Sequence, residues 1–462
     1  MKLGTFYSGK YSPLVLNSIL MDPLTQIDKQ IPQKYKHKSF IYFFFLSVLR
    51  LIFFIAKTII SAPFCYKFAG VKRYHNLYNK KVVFLLPSIN NQRSLNRIVE
   101  SLRFNNISIS IIDKGVSYVH YPMIPISLFS VMALPFCWKL FLGVTESEKR
   151  IMTYFIDNYI LSPGLVWFYY KIIRDATPDC VIMANDHGYS RKALEYVCED
   201  YGVKTIYVQH APVCDNFPEL HFKYNFLDGQ DSFTKYTLCG KKIQGETFLL
   251  GAIRHDNLAE YRKNRTVQPR KTIGVGVNPL DDIQVLSSFC TGLMDIYPGY
   301  DLKIRLHPSI KDFNLSIKKP DRVFITSARD ENVIDFFDTI DFLIAGDSGI
   351  HLDAVLSGVP TVVANFTRSG YVDSYDFVSC GMLKYANSFN DIPIMIEFIN
   401  EHGVDETLVR RYDASFNKSY SGNSSAIVSD FILNHYSISY LTERYKMVSK
   451  MHNDNKFYYI EK

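Results

Sequence analysis

Short apolar runs alternate with longer stretches of helical repeat along most of the chain. In the first half, residues 81–86, 107–112, 180–184, 204–209 and 247–250 read as strands, and 94–102 and 191–201 as helices. Residues 146–175 carry a helical pattern that Pro163-Gly164 is expected to break. The polar stretch 262–271 (RKNRTVQPRK) reads as a linker. Beyond it a second series begins, with strands at 272–277, 302–306, 323–326, 342–345 and 361–363. Its helices fall at 281–296, 331–339 and 350–357. Strands separated by helices of this length predict two parallel sheets, each covered by helices on both faces. Two such units leave a cleft between the carboxyl ends of their strands, where open α/β sheets take ligands. The last fifty residues read as helical, with no strand belonging to either sheet. The expected divisions are 1–74, a basic and apolar membrane-associating segment; 75–265 and 270–410, two Rossmann-like domains; and 411–462, C-terminal helices.

One stretch departs from this alternation. Residues 39–64 are long enough to span a bilayer but contain Arg50 and Lys57, which are costly at its centre. On a helix, Ser39, Phe43, Ser47, Arg50, Phe54, Lys57 and Ser61 form one narrow, largely polar stripe. This predicts a helix lying in the interface with both cations toward headgroups. Lys34, Lys36 and Lys38 would each add roughly 1 kcal/mol near anionic lipid. A second apolar stretch, 121–144, is interrupted by Pro125, Pro135 and Lys139 and reads as a second docking surface. Buried core of a large domain is the alternative reading of both stretches, and peripheral binding is the preferred one.

Charge supports the membrane reading. Residues 1–81 hold 13 Lys and Arg against Asp22 and Asp28, whereas the remainder is slightly acidic within a chain of net charge +7. An anionic partner is therefore expected at the N-terminal end, and the apolar neighbourhood favours membrane over nucleic acid. The eight cysteines form no C-x-x-C pair, which speaks against a disulfide framework or zinc site and suits a reducing cytosol. No leader-like apolar run opens the sequence. The expected location is peripheral, on the cytoplasmic face of the inner membrane.

Candidate chemistry gathers at strand ends. In 342–363 (FLIAGDSGIHLDAVLSGVPTVV) a strand runs into Gly346-Asp347-Ser348-Gly349, and a helix follows at once. Small residues, free helix N–H groups and the Ser348 hydroxyl suit a phosphate, and Asp353, about a turn on, suits ribose hydroxyls. Ser348 is also readable as a simple helix cap. In 303–308 (KIRLHP), His307 ends a strand that Pro308 stops, so its imidazole can neutralise a phosphate leaving group. Arg329 follows the next strand and is a candidate for the nucleotide base or phosphate. In the first half, MANDHG (183–188) offers Asp186, with His187 beside it, and YVQHAP (207–212) offers Gln209 and His210. A carboxylate there could remove the proton of an acceptor hydroxyl; a helix cap is the plainer reading. Lys223, in FPELHFKYNFLDG (217–229), could face an acceptor carboxylate.

The His-Pro pair, the Ser-containing turn some forty residues on and the G-V-P-T-V strand resemble the C-terminal half of bacterial GT-B sialyltransferases and capsule-type transferases. That group includes polysialyl-, Kdo- and other nonulosonic-acid transferases. The resemblance is best over 180–365. It implies the α/β GT-B fold, with His307, Pro308 and Ser348 on the nucleotide phosphate; Gly349, Asp353 and Arg329 join them from the reading of the residues themselves. It implies Asp186 as the nearest match to an acidic general base, one acidic position of that motif being absent, with His210 in the Q-H-A element of capsule and teichoic-acid transferases. The expected reaction moves an acidic sugar from a CMP-activated donor to a surface glycan, without metal or separate cofactor. The expected partners are the donor, a glycan or glycolipid acceptor, and an anionic membrane surface through 34–64. A teichoic-acid-type CDP-polyol phosphotransferase, a nucleotide-sugar 2-epimerase and a non-catalytic GT-B scaffold remain alternatives.

Overall fold

The computed structural model describes residues 40–61, 63, 81–86, 89–112, 123–146, 149, 152–153, 156–185, 189–213, 217, 219–238, 243–266, 268–310, 313–315, 317, 320–368 and 370–461. Two sheets organise them. The first draws on β1 (Val82–Leu85), β2 (Ile109–Ile112), β3 (Cys180–Met183), β4 (Lys204–Val208), β5 (Tyr224–Leu227) and β6 (Glu246–Leu249). The second contains β7 (Thr272–Val277), β8 (Asp301–Leu306), β9 (Val323–Ser327), β10 (Phe342–Ala345), β11 (Thr361–Ala364) and β12 (Lys384–Ala386), in the order β12-β11-β10-β7-β8-β9. All of its pairs are parallel. Its central strands are apolar on both faces, as a sheet covered on two sides requires.

The helices are α1 (Phe40–Ser61), α2 (Ile89–Phe104), α3 (Met123–Met132), α4 (Leu134–Gly143), α5 (Ile156–Ala176), α6 (Tyr189–Asp200), α7 (Gln230–Thr237) and α8 (Asp256–Asn264). The second half adds α9 (Ile283–Ile296), α10 (Val333–Asp338), α11 (Ile350–Leu356), α12 (Ile392–His402), α13 (Glu406–Tyr412), α14 (Ser424–Leu433) and α15 (Ile438–Tyr445). The two Rossmann-like domains face one another across a cleft, which is the GT-B arrangement expected from the sequence.

Three sequence expectations are corrected. The last fifty residues are not wholly helical: β13 (Met447–His452) and β14 (Asn455–Ile460) form a hairpin, and β14 lies parallel to β6. The first sheet therefore runs β13-β14-β6-β5-β4-β3-β1-β2. The turn residues Asn453 and Asp454 both adopt positive φ, as a two-residue hairpin loop demands. α14 also returns to this sheet, with Phe431 packed edge-on to Tyr224 and Phe226.

The second correction concerns α5, which continues through Pro163 instead of breaking there. Gly164 is needed for packing: its N–H donates to Ser130 Oγ at 3.2 Å, and a Cβ there would lie 2.1 Å from the Ile126 carbonyl oxygen.

The third concerns α1, whose polar stripe turns toward the protein at Ser47 and Arg50, while Lys57 stays exposed. Ser47 is buried and donates to the Thr153 carbonyl, and Arg50 pairs with Asp157. Leu51 and Phe54 pack on the core formed partly by α3 and α5. The surface left outside is largely apolar, and Arg50 is engaged by Asp157.

Candidate active site

The cleft has a volume of about 1040 Å³ and is walled by the carboxyl ends of both sheets. On the second sheet, β7 lies between β8 and β10, so the loops carrying His307 and Ser348 flank Asn278 at the end of β7. On the first, the approach comes from the start of α2, the segment after β4 and the segment after β6. His307, Pro308, Ser348, Gly349, Asp353 and His210 all line this one cavity.

At the end of β8 the side chains alternate. Arg305 is buried against the Phe336 ring, donates from Nη2 to the Glu331 carbonyl at 2.9 Å and lines the cleft. His307, two residues on, is exposed. Its Nδ1 accepts the Ser309 backbone N–H at 3.1 Å and lies 2.7 Å from Ser309 Oγ. An acceptor at Nδ1 fixes the neutral tautomer with its proton on Nε2, the nitrogen left to meet a ligand. Partial burial pulls the pKa below its ordinary value, which keeps the ring neutral.

The β10–α11 turn is held from beneath. His351 is buried, with Nδ1 2.7 Å from Thr361 Oγ1 and Nε2 3.0 Å from the Gly346 carbonyl oxygen. Because a carbonyl only accepts, Nε2 carries the proton and Nδ1 takes that of Thr361. Asn278 Nδ2 donates to the Asp347 carbonyl at 3.0 Å, tying the β7 loop to the same turn. Ser348 Oγ accepts only a long 3.4 Å bond from the Ile350 N–H, which leaves its hydroxyl proton able to donate to a ligand oxygen. The tight glycine is Gly346, where a Cβ would lie 3.1 Å from Asp281 Oδ1. At Gly349 a Cβ would make ordinary 3.6 Å contact with Pro212 across the cleft.

Asp353 joins the domains. Its Oδ1 lies 2.6 Å from His255 Nε2, on the segment between β6 and α8. Burial works against its ionisation, but His255, Arg254 and Arg305 outweigh burial and hold the carboxyl below the usual range.

Arg254 and His255 were not singled out from the sequence, nor were Arg93, Arg97 and Arg305. Arg254 donates from Nη1 to buried Asp228 at 2.7 Å. Burial pushes Asp228 up to about 6 despite that guanidinium and His255. Arg254 Nη2 and His255 Nδ1 are buried with no hydrogen-bond partner among the described residues. Arg93, Arg97, Arg254 and Arg305 thus line the cleft against Asp335 and Asp353, a cationic balance suited to an anionic ligand.

Other expectations fare differently. Asp186 and His187 lie outside the described residues. Gln209 is structural: Nε2 donates to Ser232 Oγ at 2.8 Å and Oε1 accepts the Asp228 N–H at 2.9 Å. Arg329 is exposed and outside the cleft lining; its neighbour Ala328 lines the cleft and accepts from Arg93. Lys223 precedes β5, at the amino edge of the sheet and away from the cleft. Among the described residues no group of three or more His, Cys, Asp or Glu is placed to hold a metal ion.

No protein-family model matches the chain, and no curated protein matches it in sequence. Solved structures do. A putative UDP-N-acetylglucosamine 2-epimerase from Listeria monocytogenes matches at TM-score 0.50 and 11% identity, covering 78% of this chain and 97% of its own. The UDP-GlcNAc 2-epimerase from Neisseria meningitidis bound to UDP-GlcNAc matches at 0.47 and 13%, covering 76% and 99%. The glycosyltransferase SnogD from Streptomyces nogalater matches at 0.43 and 12%, covering 77% and 99%. At such identities the likeness is one of fold.

Proposed function

We propose that this protein is a glycosyltransferase that uses a nucleotide-activated sugar bound in the interdomain cleft. The observation that carries the reading is the cavity shared by His307 and Ser348, faced by His210 and lined by Arg93, Arg97, Arg254 and Arg305. His307 Nε2–H and the Ser348 hydroxyl donate to phosphate oxygens, and the arginines neutralise the charge that grows on them as the bond from the anomeric carbon to the phosphate oxygen breaks. The acceptor hydroxyl forms the new bond to that carbon and gives its proton to a base on the first domain, the role assigned to Asp186 or His210. Asp353 takes the ribose hydroxyls.

Within this class we favour a CMP-linked acidic sugar destined for a cell-surface glycan. Such a donor carries a carboxylate beside its single phosphate, and the several arginines lining the cleft supply cationic partners for a second anion. The test is turnover of CMP-, CDP- and UDP-linked sugars with and without glycan acceptors. Acceptor-dependent nucleotide release, lost in Ser348→Ala and His307→Ala, is expected. Interconversion of a free nucleotide sugar without acceptor would overturn the reading in favour of an epimerase, and wild-type transfer by both variants would overturn the phosphate site.

A further inference from the structure

We propose that α1 seats this protein on a membrane by inserting its apolar outer face into the lipid acyl region, not by presenting its cations to headgroups. Phe45, Leu49, Ile52, Phe53, Ile59 and Ile60 are each 56–70% exposed, and their spacing places them along one side of the helix. They expose roughly 600 Å² in one stripe, at the upper end of the largest apolar patches found on monomers. A helix packed for water turns such residues inward.

The opposite side of α1 shows why this one does not. It rests on α3 and α5, and its polar groups are satisfied within the protein: Ser47 by the Thr153 carbonyl, Arg50 by Asp157 of α5, and Thr58 by the Phe54 carbonyl of α1 itself. Polar groups bonded within the protein, with hydrocarbon side chains left outside, are what an apolar surrounding requires. Lys57 is exposed near the C-terminal end of the helix, from where its ammonium can reach the headgroups. With one side against protein, α1 lies along the surface layer instead of crossing it.

A second element points the same way. α3 and α4 form a pair bent by 56° that together have the length and hydropathy of a broken span. α4 exposes Trp138 and Leu142 at 59% and 60%, with Trp138 stacked on Phe141. Tryptophan is enriched where hydrocarbon meets headgroups.

The competing occupant is a second copy of the chain. A twofold pairing through α1 would bring together two segments that each carry 13 basic residues and two acids over positions 1–81. Anionic headgroups attract that same charge, which favours the bilayer.

The experiment is flotation of the full chain with phosphatidylcholine vesicles and with vesicles containing phosphatidylglycerol, at low salt and at about 1 M salt. We expect flotation with both compositions, retained at high salt. Phe53→Glu with Ile60→Glu should lower the bound fraction at least about tenfold. Both positions are exposed, so the circular dichroism spectrum should be unchanged. The chain has two tryptophans, so Trp167→Phe leaves Trp138 as sole reporter; its emission should shift to the blue and be quenched by brominated lipid. Flotation only with anionic vesicles and reversed by salt would overturn the proposal, because basic residues would then be doing the binding. Dimerisation without flotation, or undiminished flotation of the double variant, would overturn it too. No arm reads catalysis, so the transferase reading stands or falls separately.

Discussion

Replacing His307 with alanine tests the cleft most directly, because the structure specifies what the ring can offer. Ser309 supplies a backbone N–H to Nδ1, so the imidazole is neutral and donates from Nε2. A hydrogen bond to a charged phosphate oxygen contributes about 1.5–3 kcal/mol, so His307→Ala should weaken CMP binding about 10- to 150-fold. His307→Gln retains an N–H donor on a flexible stem and should recover part of that loss. Ser309→Ala removes one of the two groups that set the ring but leaves the backbone N–H, so its effect should be several-fold at most. Isothermal titration with CMP and CDP near neutral pH measures all three. His307 and Ser348 are expected to share one phosphate, so the double alanine variant should lose less than the sum of the single losses. CMP affinity of His307→Ala within about twofold of wild type would refute the reasoning.

Three further outcomes follow from the same geometry. Asp353→Asn keeps the shape of the side chain but loses the charge that meets His255; it should weaken CMP binding about tenfold while leaving inorganic pyrophosphate binding nearly unchanged, as read by titration with each. His351, buried and pulled from 6.5 to about 4 mainly by burial, is neutral in the fold, so the unfolded chain binds the extra proton between those values. Stability should then fall by about 3 kcal/mol as pH drops from 6.5 to 4, and His351→Leu should flatten that part of the chemical-denaturation profile. Gly164→Ala forces a methyl group to 2.1 Å from the Ile126 carbonyl oxygen and should cost about 3 kcal/mol or more, seen as a lowered melting temperature.

Much of the scaffold is legible in the sequence because β7, β8, β10 and β11 are apolar runs bounded by glycine, proline or polar turns. The β10–α11 turn is legible for the same reason. Other elements hide behind polar residues that the fold satisfies locally. β5 carries Asn225, fully buried with Nδ2 donating to the Gln244 carbonyl at 2.9 Å, and so does not look like a central strand. The Asn453-Asp454 turn between alternating residues was the available signal for the C-terminal hairpin. Periodicity identified the polar and apolar sides of α1 but not which one faces the protein, because that depends on Thr153 and Asp157 more than a hundred residues away. Arg254 was hidden likewise: an arginine after a strand reads as surface charge until Asp228 and the cleft appear beside it. Arg305 had a better signal, since it precedes His307 by two residues on a strand and therefore shares its face.

The position of these cations bears on how the cleft works. Arg93 and Arg97 come from α2 of the first domain, Arg254 from the crossover between the domains, and Arg305 from the second. Three of the four have acidic partners within the protein: Arg254 pairs with Asp228 at 2.7 Å, Arg305 with Glu331 at 3.5 Å and Arg97 with Glu260 at 3.9 Å, while Arg93 reaches across to the Ala328 carbonyl at 3.4 Å. A ligand held by His307 and Ser348 of the second domain reaches Arg93 and His210 of the first only when the two sides of the cavity are close, which is the differential affinity a ligand needs to shift a conformational equilibrium. On the proposed transferase reading, the groups that bind the donor phosphate would therefore also favour closure around it, excluding water from the bond to be broken.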